Sequence, residues 1–299
     1  DLHSFPTRRS SDLPGYLALL IVLTVSVALA FSACGKKEKS ALEIFKAASK
    51  NVQNAKDAKI ENGKMTAALD LSGQKMELNA DINGQFIKST TDNPLDFQGF
   101  MEVSMNFAGN SNKTKAYMKD GNVYQESTTA AGTTKTKSPI GITQEALKQL
   151  TKDGNDMKID DFVKENSKDG DNIKLTIDAN KYIEKAMEKV DSKQKAGVDK
   201  AKIEKQLKGF GIKDVLIEAK VKDEKFQSIK YTFEVNIDGG ALGGGTAGGA
   251  KGGNNKIGMK ITIDFPKITL DSGEQIQFPD FKDFKSAPAN PAKKTNPLL

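Results

Sequence analysis

The sequence has no tryptophan, one cysteine and one histidine. Its two arginines, Arg8 and Arg9, stand together near the start, close to His3. Each scarcity excludes something. A single cysteine allows no internal disulfide, so the fold must hold by burial alone. Without His or Cys in the body of the chain, the usual ligands of zinc, copper and haem are missing. So are the common nucleophile–base pairs. We therefore expect no catalytic residues, no metal, no cofactor and no enzymatic activity; a hydrolase working with carboxylates alone is the remaining alternative, and no acid stands out for it. Arginine reads phosphates and guanines bidentately, and lysine replaces it poorly there. The net charge of +6 rests on lysines interleaved with acids, the pattern of a solvated face. No nucleic-acid partner is expected; a loose attraction to an anionic membrane surface is.

The longest uncharged stretch runs from Tyr16 to Ala33 and ends at Cys34. It is long enough to cross a bilayer as a permanent helix, and an ordinary secretory signal is also conceivable. The lone thiol directly after Phe31-Ser32-Ala33 favours a third reading. Phe31-Ser32-Ala33-Cys34-Gly35 resembles the lipobox of bacterial lipoproteins, with Phe31 where leucine is usual. The resemblance implies cleavage between Ala33 and Cys34 and a diacylglycerol on the Cys34 sulfur. The protein would then sit on the extracytoplasmic face of the cell membrane, anchored through Cys34.

Ahead of this run, His3–Leu13 resembles one reading frame of a sequencing adapter, although a basic leader containing Arg8-Arg9 is the alternative. Residues 1–15 are accordingly expected to lie outside the natural protein, 16–33 to be the signal peptide and 34–39 a polar spacer. One domain is expected over 40–285, with a disordered tail over 286–299.

Within 40–285 the periodicity changes twice. Ser40-Ala41-Leu42-Glu43 has the form of a capping box, and Leu42, Phe45, Ala48 and Val52 follow at helical spacing. Alternation then takes over at Met65–Leu71, Met76–Ile82 and Met101–Phe107, with turns or bulges at Ser72-Gly73 and Asn83-Gly84. Lys119-Asp120-Gly121-Asn122 marks a hairpin. Gln144–Thr151, Asp160–Asn166, Ala179–Val190 and Val198–Leu207 read as a helical or irregular middle. Strands resume at Val215–Val221, Ile229–Ile237 and Ile257–Phe265. Between the last two, residues 239–255 contain nine glycines without a GK[ST] ending, so they read as a flexible hairpin tip. Clean alternation gives each strand one wet and one dry face, as in an antiparallel sheet.

This order is similar to clostridial-type lipoproteins of unknown function that share the half-open barrel of the LolA and LppX/LprG lipid carriers. The similarity covers Ser40 to Phe284. Its most specific pieces are Tyr117-Met118-Lys119-Asp120-Gly121-Asn122-Val123-Tyr124 and Phe278-Pro279-Asp280-Phe281. It implies an α+β fold: a curved, unclosed antiparallel sheet covered on one face by helices, with an apolar space that in some members holds acylated molecules. Six of the eight methionines fall on the apolar parity of expected strands. The candidate lining is Met65, Leu69, Met76, Leu78, Met101, Met105, Met118, Phe233 and Met259. Methionine adapts to loosely shaped ligands, but it also fills ordinary cores, and both readings stand at this point. Tyr117, Tyr124 and Tyr231 suit either a cavity mouth or cross-strand pairing. Asp160-Asp161, Asp153-Gly154-Asn155-Asp156 and Asp169-Gly170-Asp171 lack full calcium-loop spacing and read as solvated turns. The expected function is binding or carrying an apolar ligand such as a lipid; the alternative is an envelope interaction module with a filled core.

Overall fold

The computed structural model describes residues 39–71, 74–90, 93, 96–107, 109–140, 158–191, 210–238 and 256–286. Cys34, the apolar run, the Gly-rich stretch, the acids at 153–156 and the helices expected at 144–151 and 198–207 lie outside them.

Helix α1 (Ala41–Asn54) begins with the expected capping box. Glu43 N–H donates to Ser40 Oγ at 3.2 Å, and Ser40 N–H donates to Glu43 Oε2 at 2.7 Å. Two amides that a helix start leaves unpaired are thereby satisfied. The helix buries Ala41, Phe45, Ala48 and Ser49, with Leu42 and Val52 half-covered beside them. It lies against β7 (Val163–Asp169), β8 (Asn172–Ile177), β10 (Val215–Lys222) and β11 (Lys225–Asp238). Phe45 meets Phe226 edge-on at 5.4 Å. Burying one such ring stabilises by about 1.5–3 kcal/mol.

The remaining strands are β1 (Asp57–Leu71), β2 (Gln74–Ile87), β3 (Gln98–Phe107), β4 (Asn110–Lys119), β5 (Asn122–Thr129), β6 (Gly132–Pro139), β9 (Phe210–Ile212), β12 (Lys256–Phe265), β13 (Lys267–Leu270) and β14 (Lys285–Ser286). They form one curved, unclosed sheet in the order β14-β6-β5-β4-β3-β2-β1-β12-β11-β10-β8-β7, with β13 beside β1 and β9 beside β11. Pairing is antiparallel except for β14 on β6. The early hairpins are local, while β12 returns to β1 and joins the two ends of the chain into one sheet.

Strand β1 is interrupted once, between Ile60 and Gly63. Asn62 there takes φ 58° and donates its N–H to Asn83 Oδ1 at 2.9 Å. Asn83-Gly84 thus stands opposite a bulge, inside a continuous β2. On the other side of β1 the ladder passes from β12 to β13 at the same level, around Pro266, which has no N–H to give. Gly63 fits because a Cβ would lie 2.9 Å from the Ile82 carbonyl oxygen and 3.0 Å from the Phe265 ring.

Part of the middle differs from expectation. Within the segment expected at Asp160–Asn166, Ile159–Asp161 form a 3-10 turn and Val163–Asp169 are the edge strand β7. Apart from Val163 every residue of β7 is exposed, so its sequence carries no alternation to read. Asp169-Gly170-Asp171 turns the chain into β8, with Gly170 at φ 57°. Helix α2 (Ala179–Asp191) forms as expected, with Lys181 N–H donating to Asp178 Oδ1 at 3.0 Å. Phe162 packs edge-on to Tyr182 at 5.3 Å. Ser286, expected in the tail, pairs with Lys137 of β6.

Candidate functional site

Strand register decides which side chains share a face. One row crosses eight strands on the apolar face: Leu175, Ile217, Tyr231, Ile263, Met65, Ala80, Met105 and Asn112. A second holds Phe233, Ile261, Ala67 and Leu78, and a third Val235, Met259, Leu69 and Met76. Met101 and Met118 lie on the same face in parallel rows. Eight of the nine expected lining residues therefore share one sheet face, and the backbone of Leu69 is in register with them.

Their burial separates them. Met65, 4 % exposed, and Phe233, 7 % exposed, are core residues. Leu78, Met101, Met105 and Met259 are half-buried at the margin of that core, and Met76 and Met118 are half-buried too. The side chain of Leu69 lies outside the described residues. On β3 and β4 the methionines stand beside small neighbours. Met101 is flanked by Gly84 and Ala116, Met105 by Ala80 and Asn112, and Met118 by Gly99. The Met118 methyl lies over Gly99, where a Cβ would meet it at 2.5 Å. Phe86, 43 % exposed, ends this region and leans on Phe97 at 5.1 Å. Flexible side chains among small ones make a pliable surface.

Among the described residues of β1–β6 and β12 the apolar face carries no charged side chain. On β4–β6 it changes from apolar to neutral polar: Asn112, Thr114, Gln125, Ser127, Thr134, Thr136 and Ser138. Thr114 and Ser127 hydroxyls pair at 3.3 Å, and Gln125 Nε2 donates to Ser127 Oγ at 3.0 Å. Asn112 Oδ1 is buried and meets no donor. On α1, Ser49 Oγ and Gln53 Nε2 are likewise buried without partners. Tyr231 is buried in the first row, and burial pushes its hydroxyl far up from the usual tyrosine range. It stays a neutral phenol at physiological pH.

The opposite face is organised by a row that sequence reasoning missed. Lys59, Gln85, Phe100, Tyr117, Tyr124 and Lys137 lie side by side across β1–β6. The chain after β13 runs along it as a strap. Glu274 pairs with Lys59 at 2.7 Å and accepts from Gln85 Nε2 at 2.7 Å through its carbonyl. Phe278 and Phe281 then meet Tyr117, and Phe281 and Phe284 meet Tyr124, before Lys285 joins β6. Lys119, Lys135 and Lys137 sit over the Phe278, Phe284 and Tyr124 rings at 5.0, 5.6 and 5.3 Å. Tyr117 and Tyr124 are a cross-strand pair under this strap, on the face away from the methionines. The signal was the spacing of Phe278, Phe281 and Phe284.

The strap begins at Asp57. Its Oδ1 accepts from Ser272 N–H at 2.8 Å and Ser272 Oγ at 2.7 Å, and its Oδ2 from Gly273 N–H at 3.0 Å. Burial works to raise this carboxyl, but the three donors outweigh it and hold it below the usual aspartate range. The acid pair has a structural partner too: Lys46 Nζ reaches Asp160 Oδ1 at 2.6 Å, and Lys185 lies 4.0 Å from Asp161. Among the described residues no group of three or more His, Cys, Asp or Glu could hold a metal. No helix among them is long and apolar enough to cross a membrane.

No family model matches the chain, and no curated protein matches it. Among solved structures it is similar to a DUF1329 family protein from Desulfovibrio piger, at 8 % identity and a TM-score of 0.26, covering 80 % of this chain and 96 % of that one. A likeness at that level has no bearing on ligand or activity.

Proposed function

We propose that the chain is a non-enzymatic binder or carrier of an apolar ligand such as a lipid, tethered through Cys34 to the outer face of the cell membrane. In this reading the sheet is a half-barrel whose apolar face is covered by helices, with the ligand between. One observation carries it: half-buried methionines set beside glycine and alanine on a single uncharged sheet face. Small neighbours leave room, and methionine shapes itself to what fills that room. Burying an acyl chain there would contribute about 0.8 kcal/mol per CH₂.

The test is to purify the chain gently, extract it with organic solvent and identify lipids by mass spectrometry. Stoichiometric lipid is expected, and Gly84→Leu should reduce it by filling the space beside Met101. A Cβ at Gly84 meets only the Phe100 carbonyl oxygen, at an ordinary 3.5 Å, and circular dichroism of the variant separates loss of lipid from loss of folding. The burial of Met65 and Phe233 favours a second reading, an interaction module with a filled core. An empty protein that also fails to take up a fluorescent fatty acid would leave that reading in place.

A further inference from the structure

We infer that the ligand on the methionine face carries an uncharged, hydroxyl-bearing headgroup, as an acylglycerol does, and that this headgroup rests on β4–β6. The inference depends on the lipid reading above and adds a specificity to it.

Three observations converge. First, charge on β4–β6 is segregated by face. Lys113, Lys115, Lys119, Glu126, Lys135 and Lys137 all lie on the strap side, which leaves the methionine side neutral. Second, that neutral side is continuous in register with the apolar rows. Met105 is paired with Asn112, Val103 with Thr114, and Met101 with Ala116, which in turn pairs with Gln125. A molecule lying along a row therefore passes from apolar to hydroxyl and amide contacts without meeting a charge. Third, the row ends at half-buried Asn112, whose amide oxygen is covered and has no donor, so that a turn of this side chain brings it to a ligand.

The chemistry of that end discriminates between headgroups. A buried polar atom without a partner is costly, and a ligand that satisfies it recovers that cost. A hydroxyl both donates and accepts, so it suits the Asn112 amide whichever end faces it. A carboxylate or phosphate only accepts, and on this face it would lose water without gaining a cation.

The full chain would be incubated separately with radiolabelled 1-monooleoylglycerol, oleate and dioleoylphosphatidic acid, and the lipid retained per protein counted. Retention of monooleoylglycerol about fivefold or more above either anion is expected, the scale of one to two net hydrogen bonds. Thr114→Val, nearly isosteric, and Asn112→Leu should each erode that preference. Lys113→Gln, on the opposite face, should change nothing. Equal retention of the three lipids, preference for an anion, or a preference that survives both substitutions would overturn the inference and leave the lipid reading standing. No retention of any lipid would overturn both.

Discussion

The rings of Tyr124 and Phe281 stack with centroids 3.8 Å apart and planes 17° from parallel. The contact fastens the end of the chain onto an early hairpin, and Phe278 and Phe284 flank it. Phe281→Ala should therefore lower the unfolding free energy by about 2–4 kcal/mol, somewhat less than a fully buried ring would lose. A double-mutant cycle with Tyr124→Ala should return a coupling of about 1 kcal/mol. Urea titration followed by tyrosine circular dichroism measures both.

Acid should loosen the strap at its other end. Asp57 is held below the usual aspartate range in the folded state, so its stabilisation is complete above that range. It fades as pH falls through the range toward the folded-state value. Asp57→Asn cannot be titrated there, so it should flatten part of the acid limb of stability. At neutral pH it should cost about 1.5–3 kcal/mol, the scale of hydrogen bonds to a charged group. Glu61, Asp178 and Glu234 are also held low, so the remaining limb should persist. Urea midpoints between pH 3 and 7, taken on both proteins, decide this; parallel curves would assign the acid limb elsewhere.

Two glycines, Gly63 on β1 and Gly99 on β3, should behave differently. At Gly63 an added methyl meets the Ile82 carbonyl oxygen, which the ladder holds in place, so Gly63→Ala should destabilise by about 1–3 kcal/mol. At Gly99 the same methyl meets the free end of Met118, which can swing aside. Gly99→Ala should cost under about 1 kcal/mol, while moving Met118 enough to be seen in its methyl NMR shift.

Loss of the α1 cap is the simplest expectation. Ser40→Ala removes the acceptor for the Glu43 amide and should cost about 1 kcal/mol. Thermal unfolding of the two proteins side by side reads it.

Cys34 is testable in cells. Cys34→Ser should abolish incorporation of labelled palmitate and release the protein from the membrane fraction. Unchanged labelling would remove the lipid anchor from the proposal.

Much of the sheet was legible in the sequence because its strands alternate cleanly. Met65, Met76, Met101 and Met259 all share the expected face, and Asp120-Gly121 turns with φ of 50° and 71° as a hairpin signal should. Strand β6 was not legible, since Thr134–Lys137 alternate threonine with lysine and neither face is apolar. Nor was β7, whose pairing with β8 relies on backbone bonds rather than on burial. The strap was half-visible: Phe278-Pro279-Asp280-Phe281 stood out as a motif. Its partner surface, however, depends on the register of six strands, and no local pattern encodes that. Along the methionine face, sequence gave parity but not depth. Met65 and Met105 are alike in the sequence and sit in one row, yet only the first lies in the core, because the second is nearer the neutral margin of the sheet.

The strap also imposes an order on biosynthesis. Tyr117 and Tyr124 leave the ribosome long before Phe278, Phe281 and Phe284, and contacts so distant in sequence close late. Until they close, the hairpin of β4 and β5 presents bare aromatic rings on one face. A chain cut short by a premature stop would keep those rings exposed, with the β6 edge unpaired, and would be marked for aggregation or proteolysis. The strap thus records, by what it hides, that synthesis has passed Phe284.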